Sequence, residues 1–233
     1  MSMSTIGVPL EGFGAYCRAA AAEGAVLLKN EGHMLPLKKE EMVSVFGRCQ
    51  FETYRSGTGS GGAVNVPYAV NIYDGMRESG SFTLNEELAD IYRAWLKDHP
   101  FDNGGGGWAC EPWFQKDMDI SVEYAKKQAE ATNKAVYIIG RTAGEDKDNY
   151  NGAGSYLLTD EEKANLKNIT EAFDDVCVIL NVSNIVDVKW INNEEFKGHI
   201  KAALFVWQGG MEGGDAVVDV LSGKETPSGK MPD

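Results

Sequence analysis

The chain has 233 residues, enough for one large domain or two small ones, and its 43% hydrophobic content is that of an ordinary globular protein with a buried core. A formal net charge of −13 leaves no clustered cationic surface for phosphates, so no nucleic-acid partner is expected. No run approaches the roughly 20 apolar residues of a membrane span, and Met1 to Leu10 has neither a basic start nor an apolar core, so no membrane partner is expected and the location is read as cytoplasmic.

In chain order, Tyr16 to Ala22 is an Ala-rich helical stretch that runs into apolar Ala25 to Leu28 and the turn Asn30-Glu31-Gly32. Residues 1–40 therefore read as a leader helix and connecting segment packed on the domain, outside its sheet. From residue 41 to 233 short apolar runs bounded by turn residues recur: Met42 to Gly47, Ala135 to Gly140, Val176 to Val182 and Ala202 to Trp207. Helical patterns lie between and beside them at Val66 to Glu78, Asn85 to His99, Ile120 to Thr132, Thr159 to Phe173 and Met211 to Ser222. Thr159-Asp160-Glu161-Glu162 opens its helix as a capping box. Strands alternating with helices imply an α/β fold: a doubly wound, mostly parallel sheet with helices on both faces. Asp102 to Gly107, with four consecutive glycines, reads as a long surface loop. Cys17, Cys49, Cys110 and Cys177 are scattered, with no Cys-x-x-Cys pair and only His33, His99 and His199 as companions, so free thiols and no metal site are expected.

Ligands of open α/β sheets gather at the carboxyl ends of the strands, which directs attention to the loops after Gly47 and Gly140. The first contains Tyr54-Arg55-Ser56-Gly57-Thr58-Gly59-Ser60-Gly61-Gly62, formally a Gly-x-Gly-x-x-Gly pattern, but it begins about ten residues beyond the strand and lacks a following Lys-Ser/Thr. It is either a ligand-free turn, a nucleotide or flavin loop, or a loop whose backbone approaches a substrate closely, with Tyr54, Arg55, Thr58, Gly59 and Ser60 as the substrate-binding candidates. The second, Arg141 to Asn149, gathers three carboxylates and two cations. Such crowding can push carboxylate pKa values apart and keep one acid protonated near neutral pH, although a charged loop is also what solvent selects. Trp207 to Gly214 closes the last strand and opens the last helix; its glycines suit close packing, Glu212 suits the helix dipole, and Trp207 is expected to be buried.

Together these segments resemble the α/β sandwich domain of glycoside hydrolase family 3, in the family's order and over nearly the whole chain. Ala20 to Glu31 followed by Leu35-Pro36-Leu37 resembles its leader, Val43 to Gly47 its first strand, and Gly57 to Gly62 the loop that faces a partner barrel. Trp207 to Gly214, Ala216 to Gly223 and Pro227 to Pro232 resemble its closing signature. Relatives carry a Ser/Ala-Gly-Glu segment where this chain has Ala143-Gly144-Glu145, so the resemblance implies that Glu145 is the general acid/base, with Asp146 and Asp148 as fallbacks. Relatives often continue to an Asp-Arg pair, whereas Asp148 is followed here by Asn149.

The resemblance further implies retaining hydrolysis of terminal, non-reducing β-linked sugars in a β-glucoside or oligosaccharide, with no cofactor. A barrel aspartate attacks the anomeric carbon while the sandwich glutamate protonates the leaving oxygen and then activates water. A (β/α)8 barrel alone takes about 250 residues, so the sandwich is expected to account for this chain and the barrel to lie outside it, and the leader's position near Met1 suits the subgroup with reversed domain order. Without the barrel, the chain is expected to be catalytically inactive. A noncatalytic carbohydrate-binding module and a nucleotide-binding domain are the competing expectations.

Overall fold

The computed structural model describes residues 9–62 and 64–232. Short β-branched and apolar runs form β1 (Val26–Asn30), β2 (Met42–Phe46), β3 (Thr83–Leu84), β4 (Lys134–Arg141), β5 (Asp175–Val182) and β6 (Ile200–Phe205). They make one six-stranded sheet in the order β1-β6-β5-β4-β2-β3, parallel throughout except that β1 pairs antiparallel with β6. The two-residue period of a strand sorts the side chains between two faces. Val45, Val136, Ile138, Ile179 and Leu204 join one buried cluster, covered by α1 (Phe13–Gly24), α2 (Ile72–Ser79) and α6 (Gly213–Leu221). Phe46, Tyr137, Ile139, Val178, Leu180 and Phe205 join the other, covered by α3 (Glu86–Asp98), α4 (Val122–Ala129) and α5 (Asp160–Ala172). The doubly wound α/β sandwich read from the alternation of elements is the observed architecture.

Three details depart from the sequence reading. Val26–Asn30 is not outside the sheet: it is the antiparallel edge strand, in register with Phe205 to Ala202 and interrupted by an irregularity between Leu27 and Lys29. The unpaired backbone edge of β6 is a template for such pairing, and a strand covered on one side reads as half polar, so its signal in sequence is weak. Of residues 1–40, positions 1–8 lie outside the described residues. The second helix starts at Ile72 rather than Val66. Pro67 supplies no amide, Val70 instead bonds across to Met211 O at 2.9 Å and Gly214 N at 3.1 Å, and Asn71 caps α2 by accepting from Asp74 N at 2.7 Å. Trp207 is half-buried rather than buried, and its Nε1 donates to Gly24 O at 3.0 Å.

Candidate functional site

From β2 the chain moves to the β3 edge, and from β4 it moves the other way through β5 and β6. The neighbouring strands β2 and β4 are therefore a topological switch point, where the following loops part and leave a crevice at the carboxyl ends. Both loops singled out in the sequence spring from these two strands, and the structure brings them into direct contact.

Thr58 N donates to Ala143 O at 2.8 Å, and Thr58 forms a parallel bridge with Gly144. This approach requires glycine at two positions. A Cβ on Gly57 would overlap Ala143 O, and one on Gly59, which has φ of +82°, would overlap Glu145 Cβ and come within 2.9 Å of its Oε2. Glu145 is exposed, and its Oε2 accepts two hydrogen bonds from Ser60, from the amide at 3.0 Å and from Oγ at 2.7 Å. These two donors favour the ionised carboxyl and hold it below its ordinary range. The charged loop by itself thus does not raise this acid's pKa, contrary to the expectation drawn from carboxylate crowding.

The other candidates occupy different positions. Asp146 adopts φ of +59° and its Oδ2 accepts from Trp108 Nε1 at 2.7 Å. Asp148 is exposed, and no hydrogen bond to its side chain occurs among the described residues. Arg141 is not a loop cation: it ends β4, is only 2% exposed, and donates through both terminal nitrogens to Glu162 of α5. Lys147 lies with Nζ 5.0 Å from the ring centre of Trp113. Tyr54 is 5% exposed, its backbone bonded to the side chain of Asn181 at 2.7 and 3.0 Å, so it forms the base of the loop, and burial pushes its phenol up. Thr58 is buried, whereas Arg55 is half-buried, with its guanidinium 3.3 Å from Val64 O. An open cleft of about 520 Å³ runs along Ser60, Gly144, Glu145, Ser183, Asn184 and Gln208.

The segment between α3 and α4 supplies residues that the sequence reading missed. It crosses the crevice, with Thr142 N bonded to Trp113 O at 2.9 Å, and presents Trp108, 56% exposed, beside the Glu145 loop. Glu111 on the same segment is half-buried next to Gly57 and Gly62, and burial pushes its carboxyl up. The four glycines flagged this segment as a surface loop, but its aromatic and acidic residues form no spaced motif.

The glycine loop does not have the form of a nucleotide cradle. Its amides at Thr58, Ser60 and Gly62 bond to Ala143 O, Glu145 and Gly59 O, and the position suited to a phosphate holds a carboxylate. Nor does it open a helix, since α2 begins only at Ile72. Among the described residues no group of three His, Cys, Asp or Glu is placed to hold a metal ion, and no helix is long and apolar enough to cross a membrane.

Fold and site define an α/β sandwich that presents a carboxylate at its switch point, and known proteins share the fold. The model of the glycosyl hydrolase family 3 C-terminal domain matches residues 25–233. A β-glucosidase of Ruminococcus albus is 48% identical over 212 residues, covering 91% of this chain and 22% of the relative. The solved β-glucosidase of Paenibacillus barengoltzii aligns with a TM-score of 0.96 at 60% identity, over 99% of this chain and 25% of that one. β-Glucosidase 3B of Thermotoga neapolitana, solved in complex with glucose, gives a TM-score of 0.82 at 32% identity over 95% of this chain and 30% of that one. The chain belongs to the glycosyl hydrolase family 3 C-terminal domain family, and it spans about a quarter of the length of these relatives.

Proposed function

We propose that this domain supplies the general acid/base, Glu145, of a retaining β-glucosidase acting on terminal β-linked glucosides, and that a (β/α)8 barrel docked over the switch point supplies the nucleophile. The observation that carries this reading is the Glu145 carboxylate itself: exposed at the carboxyl ends of β2 and β4, held through Oε2, and open at Oε1 to a group arriving from outside. Asp146 likewise has one oxygen engaged, by Trp108, so the choice of Glu145 rests on the match of Ala143-Gly144-Glu145 to the family's Ser/Ala-Gly-Glu segment. Of the loop candidates Ser60 is exposed and lines the open cleft beside Glu145, Arg55 is half-buried and lines the neighbouring pocket with Glu111, and Tyr54, Thr58 and Gly59 set the shape of the loop.

In the first step, Glu145 gives its proton to the glycosidic oxygen as the barrel carboxylate forms a bond to the anomeric carbon and the aglycone leaves. In the second, ionised Glu145 takes a proton from water, whose oxygen displaces the barrel carboxylate and releases the sugar. Two carboxyl groups working in this way stand roughly 5 to 5.5 Å apart, so the barrel must cover the Glu145 face closely.

The test places this domain in the matching quarter of the P. barengoltzii enzyme and compares it with its Glu145→Gln variant on aryl β-glucosides of graded leaving-group acidity. Loss of a general acid is expected to slow poor leaving groups on the order of 10² to 10⁴-fold and activated ones much less in glycosylation, with azide restoring turnover of the activated ones. Equal turnover of all substrates by the variant would move the role to Glu111, Asp146 or Asp148.

A further inference from the structure

We propose that Ser60 is a positioning residue for Glu145: it immobilises Oε2 through two donors and thereby assigns Oε1 as the oxygen that carries the proton in both steps. The inference rests on the reading of Glu145 as acid/base.

Both Ser60 donors converge on the same oxygen, the amide at 3.0 Å and the hydroxyl at 2.7 Å, and no hydrogen bond to Oε1 occurs among the described residues. An amide N–H only donates, so a proton on Oε2 would oppose it directly, and a protonated Glu145 carries its hydrogen on Oε1. A serine hydroxyl delivers this bond from a short side chain fixed by its own backbone. The backbone is fixed in turn by the Thr58 to Ala143 bond and by Gly59, whose φ of +82° turns the Ser60 amide onto the carboxylate. The glycine-rich loop is therefore a carboxylate clamp, and its glycines serve the catalytic side chain rather than a ligand.

The contact has an electrostatic consequence. Donors to the ionised form favour the base required in the second step and oppose the acid required in the first. Other charged groups around Glu145 are Asp146, Lys147 and Asp148 on its own loop, with Arg55 and Glu111 on the elements packed against it; none hydrogen-bonds to it among the described residues. Ser60 is the one side chain in hydrogen-bond contact with the carboxylate among the described residues, so replacing it acts on Glu145 without disturbing an ion pair among those residues.

The experiment titrates Glu145 in this chain by NMR, following its side-chain carboxyl carbon and the residue-60 amide, in the parent and in Ser60→Ala, Ser60→Thr and Glu145→Gln. The residue-60 amide is expected to shift with the Glu145 carboxyl, and this titration should vanish in Glu145→Gln. Ser60→Ala should raise the Glu145 pKa, and Ser60→Thr, which keeps both donors, should restore it. In the full enzyme the basic limb of kcat/KM should move upward in Ser60→Ala and return in Ser60→Thr. An unchanged Glu145 pKa in a folded Ser60→Ala chain overturns the inference and leaves the acid/base reading intact. A shifted pKa together with undiminished turnover of poor leaving groups by Glu145→Gln overturns the acid/base reading on which the inference stands.

Discussion

Asp117 shows how a single side chain outside the two contacting strand-end loops holds the candidate site together. Its Oδ1 accepts from Arg48 N at 3.0 Å and Met118 N at 2.8 Å, fastening the segment that carries Trp108 and Glu111 to the end of β2. Burial pushes its carboxyl up to about 7, against the two amide donors and the Arg48 charge, which act in the opposite direction. The unfolded chain releases this proton near 3.8, so between about pH 4 and 7 the folded state binds more protons, and stability falls as pH rises through that window. Asp117→Asn keeps the Oδ1 acceptor and does not titrate. Urea unfolding is expected to show the variant gaining on the parent by roughly 1 to 3 kcal/mol between pH 4.5 and 8, at about 1.4 kcal/mol per pKa unit. A gap that stays constant with pH would mean that burial does not penalise the ionised Asp117. The sequence around it, Phe114-Gln115-Lys116-Asp117, carries no motif, since its importance comes from a backbone amide far away in the chain.

At the scale of elements, the junction of β4 and α5 fixes the direction in which the Glu145 loop leaves the sheet. Thr159 Oγ1 accepts from Glu162 N at 3.0 Å and Glu162 Oε2 accepts from Thr159 N at 2.8 Å, completing the capping box that the spacing announced. The same Glu162 carboxylate receives both terminal nitrogens of Arg141, four residues before Glu145, and this was not legible. Arg141 follows Gly140 and reads as the first loop residue, yet β4 stays buried along its whole length and takes the guanidinium inside. β1 reads as a connector for the opposite reason: Lys29 and Asn30 sit at a sheet edge where polar residues are tolerated. Glu162→Ala removes the side-chain arm of the capping box and leaves Arg141 charged and buried, which is expected to destabilise the chain by roughly 3 to 5 kcal/mol in urea unfolding. Replacing the pair together, as Arg141→Met with Glu162→Leu, is expected to recover most of that loss. Equal losses in both variants would place the effect in the cap rather than in the ion pair.

At the scale of the whole molecule, the strand order explains why two segments almost ninety residues apart in sequence, Ser60 and Glu145, meet: they follow the two strands that flank the switch point. Sequence reasoning reached both loops because parallel sheets place ligands at strand ends, but it had no access to the contact between them, which depends on the β2–β4 adjacency. That contact leaves Glu145 exposed, with its carboxyl held below the ordinary range by Ser60, in a state suited to a base and not to an acid. The first step of the proposed mechanism nevertheless needs a protonated carboxyl near neutral pH. In the proposed assembly a docked barrel would supply what is missing, since covering the site desolvates Glu145 and brings a second negative carboxylate within several ångströms, and both effects favour the protonated form. The Glu145 pKa in the complete enzyme, read from the basic limb of kcat/KM, is therefore expected to lie clearly above the value titrated by NMR in this chain alone. This chain alone is expected to show no turnover of aryl β-glucosides. In the proposed mechanism the covalent glycosyl intermediate makes the barrel carboxylate a neutral ester, so the Glu145 pKa is expected to fall again and Glu145 to act as the base that takes a proton from the attacking water. Equal pKa values in the separate domain and the complete enzyme would mean that the barrel does not tune Glu145, and would move the acid of the first step to a carboxyl already raised within this domain, such as Glu111, which lines a pocket with Gly57 and Gly62.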